Sequence, residues 1–185
     1  MATWKFDPAH TSASFSARHM MVTTVRGTFA PPTGTLEFDP ANPAAAHVHA
    51  EIDATTLTSG VTDRDNHLRS ADFLDVANFP KITFNSTKVQ VTGDDTADVT
   101  GDLTIRGVTR PVVLKTEYLG KVASPFGDTR AGFSASTKIN REDWGLNWNV
   151  AIEAGGVLVG KEIKIELELE AILVPETEAA ASTPA

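Results

Sequence analysis

The sequence contains no cysteine among its 185 residues. A disulfide framework, a thiolate zinc site, an iron–sulfur cluster and a cysteine nucleophile are therefore all excluded. Positive charge is also scarce, since 16 Lys and Arg residues oppose 24 Asp and Glu residues and leave a net charge of −8. This balance disfavours nucleic acid as a partner, and it disfavours docking by charge on an anionic membrane surface.

Long apolar runs are missing as well. No stretch approaches the roughly 18 consecutive apolar residues of a membrane-spanning helix, so we expect no stable membrane insertion. The N-terminal residues enter a strand-like pattern without the apolar run of a signal peptide, which predicts a cytoplasmic protein. The length predicts one domain at residues 1–174. Residues 175–185 have no large apolar side chain, and we expect them to form a disordered C-terminal tail.

The clearest pattern that is present is the alternation over residues 161–173. Ile163, Ile165, Leu167 and Leu169 alternate with lysine and glutamate residues. Successive side chains of a strand point to opposite faces, so this period of two predicts a long strand with one apolar and one polar face. A strand of this length suits a sheet that curls around its own apolar face.

Shorter segments of the same kind recur along the chain, separated by turn-forming Asp-Pro, Gly-Asp-Asp and Ser-Pro-Phe-Gly sequences. The segments lie at residues 12–17, 25–29, 33–38, 47–53, 82–91, 99–105, 112–118 and 131–139. We count about eight strands in a mostly meandering order, without long helical crossovers. This organisation predicts an antiparallel sheet or a closed barrel and argues against a parallel α/β sheet.

One short helix is predicted at residues 62–70. Thr62 is a candidate N-cap, and Asp65 and Arg69 are spaced to form an ion pair on the helix surface. The helix is polar, and Phe73 and Leu74 follow it closely. We interpret it as a flap that is held down by an aromatic anchor.

Two sets of residues offer catalytic or metal-binding interpretations. His47 and His49 share one face of a predicted strand, and His10, His19 or His67 are candidates for a third metal ligand. Asp7 and His10 also suggest an acid–base pair, although a turn held by backbone hydrogen bonds explains the same spacing. The sequence has no Gly-x-Ser-x-Gly motif and no phosphate-binding loop.

Arginine and aromatic residues suggest a different kind of site. Arg64 and Arg69 flank His67 in the predicted helix, and Trp144 and Trp148 follow a predicted strand. Tryptophan combines a large apolar surface with one polar group, which suits the mouth of a pocket. Ordinary ion pairs and a tryptophan that plugs the end of a barrel explain the same residues. Taken together, they fit a site where an apolar tail enters and a polar head stays outside.

Five segments in this order and spacing resemble the YceI-like family of polyisoprenoid-binding proteins. They are residues 6–19, Val-Arg-Gly-Thr-Phe at 25–29, residues 64–75 with 79–84 close behind, residues 101–112, and Ile-Asn-Arg-Glu-Asp-Trp-Gly at 139–145. The resemblance extends over residues 4–174. It departs from the family pattern mildly at Ser59, where threonine is common, and at Trp144, where phenylalanine or tyrosine is frequent.

The resemblance implies an all-β fold: an eight-stranded antiparallel, lipocalin-like barrel with one short helix near the mouth and an elongated apolar lumen. Known members hold a long isoprenoid or fatty chain there, and the family is not known for catalysis. Many members carry a secretory leader and work in the periplasm. Independently, the residues that we assign inward mix small and large side chains, which leaves room along part of a barrel lumen.

We therefore predict a non-catalytic protein that binds, stores or transports an isoprenoid lipid, such as a quinone or a prenyl phosphate, or a similar long-chain amphiphile. It needs no cofactor and no metal. The candidates for the wall of the ligand site are Phe15, Phe84, Leu103 and Phe133. The candidates for its mouth and for head-group binding are Arg64, His67, Trp144 and Trp148. The alternative is a metal-dependent or His/Asp hydrolase at the barrel mouth. An exposed strand edge or apolar rim is a candidate surface for a homodimer.

Overall fold

A computed structural model describes residues 1–153 and 155–175 of the chain. The predicted disordered tail falls almost entirely on residues 176–185, outside the described residues. The strands are β1 (Ala2–Phe6), β2 (Ser12–His19), β3 (Thr23–Thr28), β4 (Thr33–Phe38), β5 (His47–Asp53), β6 (Lys81–Val91), β7 (Thr96–Ile105), β8 (Val108–Ala123), β9 (Thr129–Asn140) and β10 (Val159–Leu173). One α-helix, α1 (Thr62–Arg69), lies between β5 and β6.

The strands form one antiparallel sheet that closes into a barrel. The order β1-β4-β5-β6-β7-β8-β9-β10-β2-β3 is completed by pairing of β1 with β10. Along one edge of β10, β2 pairs with its first part and β1 with its last part. β1 and β2 are therefore two halves of one broken strand, and β3 and β4, which pair with them, are two halves of the next. The ten segments thus make an eight-stranded barrel, which confirms the predicted fold.

β10 shows why these residues form such a barrel. Ile163 pairs with Ala17 of β2 on one side and with Ile139 of β9 on the other, so each inward residue meets inward residues of both neighbours. The outward glutamate and lysine residues remain solvated. A register slip of one residue would exchange the two faces, which is why the alternation determines the pairing. The long strand predicted at residues 161–173 is confirmed.

The connection between β5 and β6, residues 54–80, carries α1 across the open edge of β3. Its ends meet where the Ala54 N–H donates to the Pro80 carbonyl at 2.8 Å. Thr58 forms a bridge with Thr28 of β3. Phe73 is buried and anchors the connection, as predicted from its position after the helix. In the described residues, no helix has the length and apolar character needed to span a membrane.

Two local predictions about α1 are wrong. The N-cap residue is Val61, and no side chain caps the helix at that position. The carboxylate of Asp65 instead accepts hydrogen bonds from Ser59 and Thr58, which lie before the helix. Arg69 does not pair with Asp65, because its guanidinium reaches the carbonyl of Leu57. Bonds to the preceding loop have displaced the bonds within the helix.

Two clusters of buried side chains line the inside of the barrel. One surrounds the end near α1 and consists of Phe73, Phe84, Leu103, Ile105, Val112, Trp144 and Leu146. The other lies toward the opposite end and consists of Trp4, Leu36, Phe38, Ala131, Phe133 and Ala171. Further apolar side chains of the interior are only partly buried, because a cavity lies between the two clusters.

Candidate functional site: an apolar cavity inside the barrel

The cavity occupies the lumen and has a volume of about 690 Å³. Its lining is dominated by aliphatic and aromatic side chains from nearly every strand. Ligand pockets in proteins commonly have volumes of about 300–1,000 Å³ and the same mostly apolar lining. All eight residues proposed from the sequence line this cavity: Phe15, Arg64, His67, Phe84, Leu103, Phe133, Trp144 and Trp148. Their contribution to binding remains a prediction.

The four wall candidates come from four different strands. Phe15 lies on β2, Phe84 on β6, Leu103 on β7 and Phe133 on β9. Leu103 is the cross-strand partner of Phe84 where β6 pairs with β7. The wall therefore surrounds the lumen rather than forming one apolar side of it.

Two glycines explain how the wall phenylalanines leave the lumen open. Gly27 is the direct partner of Phe15 on β3, and a Cβ atom at Gly27 would lie 2.3 Å from Cζ of Phe15. A Cβ atom at Gly101 would lie 2.4 Å from Cζ of Phe84. The far ends of both rings therefore lie over backbone that has no side chain. These glycines widen the lumen by letting the rings lie against the wall.

The mouth is the end of the cavity surrounded by Arg18, Arg64, His67, Trp148 and Leu158. These residues come from the end of β2, from α1 and from the segment before β10. Arg18, Arg64 and His67 bring cationic or polar groups to this end, and Asp63 lines the cavity beside them. Polar residues also line the cavity elsewhere, among them His47, Asp94, Asp95 and Glu168. The mouth thus offers polar partners to a ligand whose tail occupies the lumen.

Arg64 is held at the mouth by the loop that precedes α1. Its Nε donates to Oγ of Ser59 at 2.7 Å, and its Nη2 donates to the Ser59 carbonyl at 2.9 Å. Ser59 is itself bound to the carboxylate of Asp65 through its N–H at 2.7 Å and through its hydroxyl. The hydrogen bond from the Ser59 side chain lowers the pKa of Asp65, so this carboxylate is ionised near neutral pH. Its negative charge helps to orient the loop that positions Arg64.

His67 and Trp148 form an aromatic cluster with Phe73 at the mouth. The rings of His67 and Trp148 meet edge to face with centroids 4.4 Å apart, and Phe73 lies 5.0 Å from His67 and 5.5 Å from Trp148. His67 Nε2 lies 2.8 Å from a carboxylate oxygen of Asp72. The cluster joins α1 to the segment before β10, so it closes one side of the mouth.

Trp144 has a different position from Trp148. It is 3% exposed, and its indole N–H donates to the carbonyl of Leu103 at 3.0 Å. It lies beside the cavity as part of the buried wall and not at the opening. The nearby Arg141 is also 3% exposed, and its guanidinium donates to carbonyls of Leu146, Val159 and Gly160. Burial lowers the pKa of Arg141, and the three carbonyls accept the hydrogen bonds of its guanidinium.

The opposite end of the lumen contains a second aromatic cluster, of Phe38, Tyr118 and Phe133. Phe133 lies 5.1 Å from Phe38 and 5.3 Å from Tyr118 between ring centroids. Burial raises the pKa of the Tyr118 hydroxyl, and the charge of Asp95 adds to the effect. Phe38 and Tyr118 were not among the sequence candidates. Phe38 and Tyr118 can be recognised as lining residues only in the folded barrel, where β4, β8 and β9 place their rings together.

The histidines proposed as metal ligands are spread over the molecule. His47 and His49 are exposed, and each lies beside a polar side chain of β6: His47 beside Ser86, and His49 beside Asn85. In the part of the chain that the structure describes, one group has three potential metal ligands with donor atoms within 4.8 Å of one another: Asp7, His10 and Glu170.

That group belongs to a larger ion cluster at the break between β1 and β2, which we call the seam cluster: Asp7, His10, Asp128, Arg130 and Glu170. His10 Nδ1 lies 2.7 Å from Asp7, and Arg130 contacts Asp7 at 2.9 Å and also pairs with Glu170 and Asp128. The guanidinium of Arg130 thus already binds the carboxylates that a metal ion would need as ligands. The contact with Asp7 raises the pKa of His10, and the same contact lowers the pKa of Asp7.

Comparison with known proteins agrees with this barrel fold. The family model described as YceI-like domain matches residues 4–171. The protein YceI of Escherichia coli is 43% identical over 147 residues, which are 78% of this chain and 76% of the relative. The crystal structure of the YceI protein of Campylobacter jejuni superposes with a TM-score of 0.73 at 28% identity, over 85% of this chain and 90% of that chain.

A more distant structure shares the fold alone. It is a polyisoprenoid-binding domain from Saccharophagus degradans, with a TM-score of 0.68, 14% identity and coverage of 94% of this chain and 99% of that chain. The family model spans almost the whole barrel, from β1 into β10. The chain therefore belongs to the YceI-like domain family.

Proposed function

We propose that this protein binds an isoprenoid lipid, such as a quinone or a prenyl phosphate, or a similar long-chain amphiphile, and stores or carries it without changing it chemically. The observation that carries the proposal is the cavity of about 690 Å³, lined mainly by aliphatic and aromatic side chains and bordered by Arg18, Arg64 and His67 at the end near α1. An elongated apolar ligand with one polar end has the same distribution of polarity.

The free energy of burial favours a long ligand. Each methylene group removed from water contributes about 0.8 kcal/mol. Several isoprene units therefore offset the cost of ordering a flexible chain. The phenylalanines whose rings extend over Gly27 and Gly101 supply apolar contact along the ligand without closing its path.

The mouth suits a polar or anionic head group. Arg64 is held by two hydrogen bonds to Ser59, and Arg18 and His67 line the same end of the cavity. A guanidinium donates hydrogen bonds to phosphate or carbonyl oxygens. The polyisoprenoid-binding domain of Saccharophagus degradans has the same barrel, which supports an isoprenoid as the tail.

The hydrolase hypothesis has weaker support. His47 and His49 are exposed, and Arg130 pairs with the carboxylates beside His10. Metal analysis of the purified protein tests the metal-dependent form. One equivalent of a tightly bound metal, lost together with an activity when Asp7 and Glu170 are replaced, would favour the enzyme over the carrier.

The experiment that tests the carrier is native mass spectrometry of protein purified without detergent, followed by solvent extraction and identification of what is released. We expect a near-stoichiometric isoprenoid or quinone. If the protein is empty, a quinone and a prenyl phosphate with tails of the same length are added and binding is measured. Failure of both to bind would contradict the proposal. The cytoplasmic location and the homodimer also stay predictions, to be tested by cell fractionation and by sedimentation.

A further inference from the structure

The turn between β2 and β3 exposes three consecutive apolar side chains. Met20, Met21 and Val22 form the turn, and Met21 is 64% and Val22 is 80% exposed. Single exposed apolar residues are ordinary on protein surfaces, but adjacent ones at a hairpin tip form a patch that is costly in water. Hairpin tips are usually built from polar residues and glycine.

The backbone of the same turn is also unfavourable for these residues. Met20 has a φ of 50° and Met21 a φ of 64°, and the Val22 N–H donates to the His19 carbonyl at 3.2 Å. Positive φ at two central residues, closed by this bond, is the pattern of a type I′ turn, for which Asn-Gly is the preferred sequence. Polar residues and glycine would therefore suit both the backbone conformation and the solvent exposure of this turn better than methionine and valine do. Strain of this kind is associated with functional sites.

The patch is continuous with the mouth of the cavity. The Met20 N–H donates to the Leu158 carbonyl at 2.8 Å, and the Leu158 N–H donates to the Val150 carbonyl at 2.9 Å. Leu158 lines the cavity, and Val150 is exposed. These backbone bonds place the turn beside the segments that carry Leu158 and Val150, at the end of the barrel where the mouth lies. We call the exposed apolar residues 20–22 and Val150 the hairpin patch.

We propose that the hairpin patch docks the protein reversibly on the surface of a lipid bilayer, with the mouth facing the lipid. The proposal rests on the proposed function, because a long isoprenoid is poorly soluble in water and a carrier must collect it from a lipid phase. An apolar rim beside the mouth shortens the path that the tail must cross through water. The few side chains involved favour a contact that forms and breaks readily.

Charge and size argue for a bilayer as the partner. The net charge of −8 disfavours attraction to anionic lipids, so apolar side chains must supply the contact. Docking is therefore expected on uncharged phosphatidylcholine vesicles, without a requirement for anionic lipid. A patch of four side chains is also small compared with the roughly 1,000 Å² of buried surface that a stable protein–protein interface needs.

The test is co-flotation of the purified protein with phosphatidylcholine vesicles. The test variant replaces Met20→Asn and Met21→Gly, the pair that the turn geometry prefers, so we expect an unchanged or raised unfolding temperature. We expect at least a tenfold loss of vesicle binding. The matched control is Phe126→Ser in the turn between β8 and β9, because Phe126 is 85% exposed and its turn lies at the opposite end of the barrel, where the start of β9 pairs with the end of β10. This control is expected to bind vesicles like the unchanged protein.

Three results would overturn the docking proposal: no flotation of the unchanged protein, equal flotation of the Asn-Gly variant, or flotation that requires anionic lipid. A dimer that the Asn-Gly variant abolishes, without flotation, would assign the patch to a second copy. Loading is measured separately with a tetraprenyl quinone added from solvent. If neither the unchanged protein nor the Asn-Gly variant loads the quinone, the proposed function fails. Flotation would still test docking in that case. If both load it from solvent but only the unchanged protein extracts it from vesicles, docking is supported.

Discussion

The phenyl ring of Phe15 lies directly over Gly27, its cross-strand partner, with no room for a β-carbon between them. The clash would involve the Phe15 ring alone, because all three nearest atoms belong to that side chain. The ring can therefore yield while the strands stay paired. Since Phe15 lines the cavity, it must swing toward the lumen to make space.

We accordingly predict that Gly27→Ala reduces lipid capacity. If the displaced ring excludes about two methylene groups, binding loses about 1.6 kcal/mol, or about 15-fold in Kd. Overpacking is expected to cost about 1–3 kcal/mol of stability. The measurement is a titration with isoprenoids of increasing length. Gly132→Ala on β9 is the matched control, because a Cβ atom there meets only Leu119 at 3.4 Å. Equal affinities for the two variants would contradict this role of Gly27.

Phe133 provides a test of the opposite end of the lumen. Phe133→Glu places a carboxylate beside the rings of Phe38 and Tyr118 in the apolar lumen, so we expect the bound lipid to fall at least tenfold. Phe133→Leu keeps the site apolar and should retain most of the lipid. Native mass spectrometry measures both. Phe126→Glu, in an exposed turn, is the control. Full lipid content in a folded Phe133→Glu protein would remove Phe133 from the binding wall.

Arg64 should distinguish ligands by their head groups. Hydrogen bonds to a charged partner contribute about 1.5–3 kcal/mol, so Arg64→Gln is expected to weaken binding of a prenyl phosphate about 10- to 100-fold. A quinone with the same tail should be affected much less, because its head is uncharged. Arg110→Gln on the outer surface is the control. A uniform loss for both ligands would indicate that Arg64 only holds the mouth in shape.

The seam cluster makes stability depend on pH in two directions. Because Asp7 raises the pKa of His10 above its ordinary 6.5, protonated His10 stabilises the fold fully below about pH 6.5, and this contribution is lost as pH rises through the raised value. The lowered pKa of Asp7 acts oppositely: its contribution is present above about pH 3.8 and is lost as pH falls through the lowered value. Stability should therefore decline both in acid and above neutral pH.

The variant that tests these effects is His10→Gln. Denaturant unfolding at several pH values should show that it removes the decline that occurs as pH rises through the raised pKa of His10. The acid decline should become smaller as well, because the hydrogen bond with His10 is the largest cause of the lowered pKa of Asp7. The exposed His49→Gln is the matched control and should leave the profile unchanged. If His10→Gln and the unchanged protein gave parallel profiles above pH 6, the contact with Asp7 would not be the cause.

Much of the fold could be predicted from residues close in sequence. The alternation over residues 161–173 determines both the strand and its inward face, because a slip by one residue would expose the apolar side chains and bury the charged ones. Helix α1 was placed to within one residue, and Phe73 was correctly identified as its anchor. The N-cap and the Asp65–Arg69 pair were wrong because groups of the preceding loop compete for the same side chains.

The sequence by itself determined an antiparallel β-protein with an apolar interior, since strand alternation and turn residues are local properties. Only the tertiary structure decided that β1 and β2 share one edge of β10, and that Asp7 meets Arg130 at that break. It also decided that Phe15 rests on Gly27 and leaves the lumen open. Such relationships depend on which strands become neighbours, and that choice follows from closing the whole barrel around its apolar face.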